Sequence, residues 1–168
     1  LSVPPEHAAR IAGVLVDGEL RGYDDHGAFF IGELATWIRA GQMNPAPQVR
    51  VLRETPSSVL LDADRGCGVI GSTEAMRRAI IKAKETGVAC AGLRNSGHFI
   101  AAAPYVEMAA REGLIGYCCA NVTPLMTPPG GKTRTLGTNP LAYGFPTGMD
   151  DPVIFDMATS ATAGFKVR

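Results

Sequence analysis

The 168-residue sequence has no run of basic or acidic residues and no net charge, because sixteen Lys and Arg balance sixteen Asp and Glu. Without a basic stripe, nothing directs the chain to nucleic acid or to an anionic membrane surface. No apolar stretch approaches the roughly 20 residues that span a bilayer. The opening Leu1-Ser2-Val3-Pro4-Pro5-Glu6 also lacks a basic segment followed by an apolar one. The four cysteines, Cys67, Cys90, Cys118 and Cys119, form no CxxC pair, and His7, His26 and His98 form no HxH or HxxxH pair. The sequence signature of a zinc site is therefore missing. Three of the cysteines lie in runs that read as buried strand, so the thiols look like small core residues, and reduced thiols suit the cytosol. The expectation is a soluble cytoplasmic protein without a metal, whose partners are small molecules, not nucleic acid or membrane.

What is present suffices for a real core: 46% of residues are hydrophobic and 19% charged, ordinary values for a globular protein holding one domain or parts of two. The chain begins without methionine and stops at Lys166-Val167-Arg168, after a segment that reads as a strand running into a helix. It reads as the N-terminal half of a larger fold. Two prolines open an amphipathic helix over Pro5 to Leu20, with Ala8, Ile11, Val14 and Leu15 on one face. A charged turn leads to a second helix from about Ala28, with Ile31, Leu34, Ala35 and Ile38 inward and Gly41 as its stop. Val49 to Leu52 and Val59 to Leu61 suggest a hairpin; a helix over Ser72 to Glu85 and a strand from Val88 to Leu93, buried on both faces, complete a β-α-β pattern. Phe99, Ala103, Val106 and Ala110 then recur at helical spacing, with Gly113 as stop. Leu114 to Ala120, Leu141 to Phe145 and Val153 to Asp156 read as strands, and Val122 to Gly137 as a long loop. The class is α/β, a mixed sheet with helices. Residues 1–50 form a helical segment and residues 51–168 an α/β domain.

Chemistry concentrates at a few turns. Arg94-Asn95-Ser96-Gly97-His98 places an imidazole in a glycine-flexed connection after an apolar strand, where it can exchange a proton near neutrality. A helix-start histidine that only hydrogen-bonds the first turn fits the same residues. In Asp24-Asp25-His26-Gly27 a carboxylate beside an imidazole can fix its tautomer, or the aspartates can simply cap a solvated turn. Gly66-Cys67-Gly68-Val69-Ile70-Gly71 spells GxGxxG between a strand and a helix, as a dinucleotide loop does. Against that, Asp62 and Asp64 bring carboxylates close, and the next strand ends at Leu93-Arg94 without an acid for a ribose hydroxyl, so a packing turn is the preferred reading. Gly137-Thr138-Asn139-Pro140 and Asp156-Met157-Ala158-Thr159-Ser160 are small-residue turns suited to phosphate and ribose, or to helix capping.

Taken in order, Arg21-Gly22-Tyr23-Asp24-Asp25-His26-Gly27, Arg94-Asn95-Ser96-Gly97-His98-Phe99, Gly137-Thr138-Asn139-Pro140 and Asp156-Met157-Ala158-Thr159-Ser160 resemble the type-2 malate/L-lactate dehydrogenase family, which also holds ureidoglycolate, sulfolactate and diketogulonate enzymes and cyclic-imine reductases. The resemblance implies a homodimeric oxidoreductase that moves a hydride between NAD or NADP and a 2-oxo/2-hydroxy acid or cyclic imine. It also implies a cofactor domain that is not a Rossmann fold, with residues 1–50 contributing to the substrate and dimer region. His98 is then the expected proton donor to the carbonyl oxygen, with His26 orienting substrate or sharing the relay. Asp25, Arg94 and Ser96 are expected at the substrate; Asn121, Thr138, Asn139, Asp156, Met157 and Ala158 are expected at the cofactor. A non-catalytic dimerisation or ligand-binding fragment is the alternative. One departure bears on substrate. The family usually has Asp-Ser-His-Gly followed shortly by an arginine that clamps a carboxylate, whereas this chain has Asp25 and then Ala28-Phe29-Phe30. That change favours a bulkier, less acidic or cationic, imine-like substrate, with Arg21, Arg94, Lys132 or Arg134 as possible replacements for the missing clamp.

Overall fold

The computed structural model describes residues 1–161, so the segment ending at Lys166-Val167-Arg168 lies outside the described residues. The chain packs as two compact units that meet between Ala101 and Ala102.

In the first unit, helix α1 spans Pro5–Leu20, started by proline in its first turn, and α2 spans Phe30–Arg39. Strands β1 (Arg50–Glu54) and β2 (Ser58–Asp62) form an antiparallel hairpin, with a register shift between Val51 and Arg53 that marks a bulge. Helix α3 (Gly68–Thr86) then carries the chain to β3 (Cys90–Arg94), which pairs parallel with β2. This is the expected β-α-β unit, and the sheet order is β1-β2-β3. Helix α3 stops where Gly87 takes φ +83°, a left-handed position that costs glycine little. Val59, Leu61 and Ala75 form the core between sheet and α3, with Val49, Ala91 and Leu93 packed against it. Lys82 of α3 ties down the hairpin through Thr55 O at 2.7 Å and Glu54 Oε1 at 2.9 Å.

Three expectations for this unit need correction. Strand β3 is not buried on both faces: Cys90 and Arg94 are exposed and the residues between are partly buried, because β3 is an edge strand and β2 holds the centre. On α2 the buried residues are Phe30 and Leu34, while Ile31 points outward, because the helix begins at Phe30 and its inward stripe is set from there. The cysteines are not a core set. Cys67 alone is buried, Cys118 is partly so, and Cys90 and Cys119 are exposed.

The second unit begins with helix α4 (Ala103–Arg111), laid on one face of an antiparallel sheet of β4 (Gly116–Cys119), β5 (Leu141–Phe145) and β6 (Val153–Met157) in that order. Gly116 and Gly144 are cross-strand partners, and both lie under Val106. A Cβ on Gly116 would come within 2.7 Å of Val106 O, so the close seating of α4 depends on the missing side chains. Helix α4 also starts later than the apolar spacing suggests, with Phe99 outside it. The cause is local: Ile100 adopts φ +73°, and the helix instead begins where the Asp156 carboxylate accepts the N–H groups of Ala102 (3.0 Å) and Ala103 (2.8 Å).

Candidate active site

The histidine turn is assembled entirely within the first unit. After β3, Asn95 (φ +54°) and Ile100 (φ +73°) both sit in the left-handed region and bracket Ser96, Gly97 and His98. For a β-branched side chain such as Ile100 that conformation costs about 1–3 kcal/mol, a strain that persists only where its surroundings enforce it. Here Ile100 is 3% exposed, and its N–H donates to His98 Nδ1 at 2.9 Å. An Nδ1 that accepts this bond carries no proton, so in neutral His98 the proton is on Nε2. Local capping and a site role are thus not alternatives for His98, since the first-turn bond is what sets its tautomer.

The rest of the turn rests on the glycine-rich segment. Gly97 N–H donates to Gly66 O (2.9 Å), Gly68 N–H to His98 O (3.0 Å) and Arg65 N–H to Asn95 O (2.9 Å). A Cβ on Gly68 would lie 2.7 Å from His98 C and also strike Gly97 O, while one on Gly71 would press on Leu93 and Ala63. GxGxxG therefore serves here as a packing platform for the histidine turn. The first N–H of α3 meets a protein carbonyl rather than an anion. The neighbouring carboxylates also have structural partners. Asp62 Oδ1 accepts Asp64 N–H (2.8 Å) and Asn95 Nδ2 (3.1 Å), which hold its carboxyl below the usual carboxylate range; Asp64 Oδ2 accepts Asn44 Nδ2 (2.9 Å) and Gln48 N–H (3.1 Å).

His26 comes to the same place from the turn between α1 and α2. Its ring centroid lies 5.8 Å from that of His98, and both imidazoles pack on Phe30, at 6.0 Å from His26 and 4.7 Å from His98. Trp37, two helical turns beyond Phe30 along α2, lies 6.2 Å from His98 and edge-on to Phe30 at 5.6 Å. Phe30 is fully buried and Phe29 is exposed, so the two phenylalanines part: one floors the histidines, the other faces outward. Burial, and secondarily the nearby His26 charge, push the His98 pKa down to about 4. His26 Nδ1 lies 3.0 Å from Asp25 Oδ1, and Asp25 Oδ2 is buried with no hydrogen-bond partner.

Arg94 and Ser96 belong to this turn as well. Arg94 Nε is 3.3 Å from Asp62 Oδ2 with its side chain 65% exposed, and Ser96 Oγ donates to Gly97 O at 3.2 Å. Among the described residues, no group of three or more His, Cys, Asp or Glu gathers as metal ligands. Burial lifts the Cys67 thiol to about 11 and the Cys118 thiol to about 12, so neither is a thiolate nucleophile near neutral pH.

A second cluster forms in the second unit, at one end of its sheet. The pairings Cys119↔Leu141 and Leu141↔Met157 bring the end of β4, the start of β5 and the end of β6 side by side. Asn139 Oδ1 accepts Val122 N–H (3.0 Å), and Thr138 O accepts both Thr159 N–H (2.9 Å) and Thr159 Oγ1 (3.1 Å). Asn121, Thr138, Asn139, Met157 and Ala158 therefore lie on adjoining segments, while Asp156 turns one carboxylate oxygen to the start of α4.

The malate/L-lactate dehydrogenase family model matches residues 1–168. The chain belongs to the malate/L-lactate dehydrogenase family. A malate dehydrogenase of Pyrococcus horikoshii is 44% identical over 160 residues, covering 95% of this chain and 44% of the relative. Its solved structure superposes with a TM-score of 0.95 over 99% of this chain and 47% of that one. The L-sulfolactate dehydrogenase of Methanocaldococcus jannaschii is 38% identical over 98% of this chain and 48% of the relative. The Δ1-piperideine-2-carboxylate reductase of Pseudomonas syringae is 31% identical, with a TM-score of 0.88 over 98% of this chain and 50% of that one. The chain thus spans about half the length of the relatives it matches.

Trp37 and Ile100 N–H are the contributors that sequence reasoning missed. Trp37 could have been found from its seven-residue offset from Phe30 on one helix, which puts the two on a shared face. Nothing in the sequence marks the left-handed isoleucine.

Proposed function

We propose that the chain is the N-terminal part of a homodimeric, cytoplasmic NAD- or NADP-dependent oxidoreductase that interconverts a 2-oxo acid or cyclic imine with its reduced form. The observation that carries this reading is the pairing of His26 and His98 over Phe30, two proton-handling groups on one apolar floor. Residues 1–50 deliver His26 and contribute to the substrate and dimer region, and the α/β part over 51–168 holds the cofactor. Free cysteines and the lack, among the described residues, of a helix long and apolar enough to cross a membrane accord with the assigned compartment.

The turn cluster of the second unit fits a nicotinamide nucleotide by its chemistry: hydroxyls of Thr138 and Thr159, amides of Asn121 and Asn139 and backbone groups around Met157 and Ala158 suit ribose and carboxamide. When bound, that group supplies the hydride. The protein's own work is to orient the substrate and to provide a proton at its oxygen or nitrogen, worth roughly 10²- to 10⁴-fold in rate. Ser96 and Arg94 offer contacts to a substrate carboxylate, with Arg94 exchanging its Asp62 partner to do so. Asp25 beside the site disfavours a second negative charge, which supports an imine-like substrate over a dicarboxylate.

The test is a titration of the 168-residue chain with NADH and NADPH, followed by a reductase screen of the full-length protein against 2-oxo acids and cyclic imino acids. Saturable cofactor binding with turnover of one class is the expected result. Absence of binding would leave a non-catalytic dimerisation or ligand-binding fragment as the better account.

A further inference from the structure

The β4-β5-β6 sheet of the second unit is covered on one face only. Side chains alternate along each strand, and cross-strand partners share a face. Gly116 and Gly144 form one row under Val106, and Cys118, Ala142 and Asp156 form the next, with the Asp156 carboxylate bonded to the start of α4. The alternate rows point the other way: Tyr117 with Tyr143 and Phe155, Phe145 with Val153, and the row that begins at Cys119. Tyr117 is 51% exposed, Tyr143 38% and Phe155 48%, although Tyr143 packs on Tyr117 at 4.9 Å and stacks on Phe145 at 6.1 Å. The rings touch sideways and stay open above. Asp156 is the one charged residue of the three strands, and it lies on the α4 side, so the open face carries no charge.

An antiparallel sheet that keeps one face in water alternates apolar residues inward with polar residues outward. This sheet is apolar on both faces, the pattern of a layer buried between two others. We propose that the aromatic face of the β4-β5-β6 sheet is the docking surface for the C-terminal half of the full-length polypeptide, which closes the second unit as a third layer. The inference rests on the reading of the chain as the N-terminal part of a longer enzyme. Its length fits: the malate dehydrogenase of Pyrococcus horikoshii superposes over 99% of this chain, yet this chain covers only 47% of that one.

Size favours a segment of the same polypeptide over a second copy. Three strands of four or five residues present a planar face of roughly 250 Å² at ordinary strand spacing and rise. A stable dimer buries about 800 Å² on each partner, so this face alone is too small to hold one together. A tethered segment avoids most of the entropy cost of association and needs no such area. The opposite face sets the scale, since α4, a helix of nine residues, suffices to cover it. The chain also leaves the sheet from β6, an edge strand, so the polypeptide that continues beyond it starts beside the open face.

Cys119, exposed on this face, is the natural probe, and Cys67, buried in the first unit, reports whether the chain is folded. The experiment is site-resolved thiol labelling of the full-length protein without added cofactor, each rate taken relative to the urea-unfolded protein at the same pH, with the 168-residue chain measured alongside. In the full-length protein Cys119 should react at least about 10²-fold more slowly than when unfolded, because labelling there awaits local opening. In the 168-residue chain Cys119 should react within a few-fold of the unfolded rate while Cys67 stays protected. Phe155→Lys places a charge in the covered face, and in the full-length protein it should raise the Cys119 rate by about tenfold or more. A freely reactive Cys119 in the native full-length protein, or protection unmoved by Phe155→Lys, would overturn the proposal even in an active enzyme. Protection already present in the 168-residue chain would overturn it as well, and a protection that grows with chain concentration would identify a second copy as the occupant. A protected Cys119 in a full-length protein that turns over no 2-oxo acid or cyclic imine would overturn the functional reading and leave the docking surface standing.

Discussion

The histidine turn of the first unit and the asparagine turn of the second are both short polar connections at strand ends, yet they are held by opposite means. The first is forced: Ile100 sits at φ +73° over an aromatic floor, and the imidazoles are partly buried beside one another. The second is permitted. Asn139 takes φ +34°, which asparagine tolerates, and its side chain accepts Val122 N–H in compensation. Strain, burial and titratable rings suit a place where protons move, whereas relaxed backbone and neutral hydrogen-bonding groups suit a place that holds a ligand.

The sharpest way to break this contrast is His98→Ala in the active enzyme. Turnover should fall by roughly 10²-fold or more with cofactor binding intact, and near-normal turnover in steady-state assays would remove His98 from the chemistry.

Acid should expose the burial of His98 next. Its folded pKa of about 4 lies below the unfolded value of about 6.5, so the fold binds the proton less readily than the unfolded chain. The neutral form's advantage is intact above about pH 6.5 and is lost as pH falls from there to about 4, on the order of 3 kcal/mol. Urea denaturation of wild type and His98→Gln at pH 7 and pH 4.5 isolates it: wild type should lose more stability than the variant, and parallel losses would contradict the assignment.

Gly68→Ala tests the platform beneath the turn. The added methyl meets Gly97 O and the His98 backbone, so the expected cost is about 1–3 kcal/mol in thermal or urea unfolding, along with a moved His98 resonance. If the substitution instead removed cofactor binding from a fully stable protein, the glycine segment would be a dinucleotide loop after all. The smallest effect is expected at Arg94→Ala. Its pair with Asp62 is exposed on the arginine side, so stability should change by less than about 1 kcal/mol, and any larger change in KM would report substrate contact.

Much of the fold was legible because period and punctuation agree. Helix α1 begins at its prolines, β5 occupies the expected Leu141–Phe145, and the hairpin and β-α-β order follow from the apolar runs and the glycine stops. What misled was inference from apolarity to burial. Cys90, Cys118 and Cys119 look like core, but β3 is an edge strand and only one face of the β4-β5-β6 sheet receives α4. For the site, the sequence marks which residues carry chemistry but not which of them meet. His26 and His98 are 72 positions apart, so their 5.8 Å separation comes from the fold. The His98 tautomer depends on a single contact, Ile100 N–H, that no periodicity encodes.

Cofactor affinity in two variants, measured by calorimetric titration with NADH and NADPH, tests the separation of proton chemistry from cofactor holding most directly. His98→Ala should bind as wild type does, and Asn139→Ala, which leaves Val122 N–H without its acceptor and loosens the turn, should bind about tenfold more weakly. Loss of affinity in His98→Ala with none in Asn139→Ala would contradict the account.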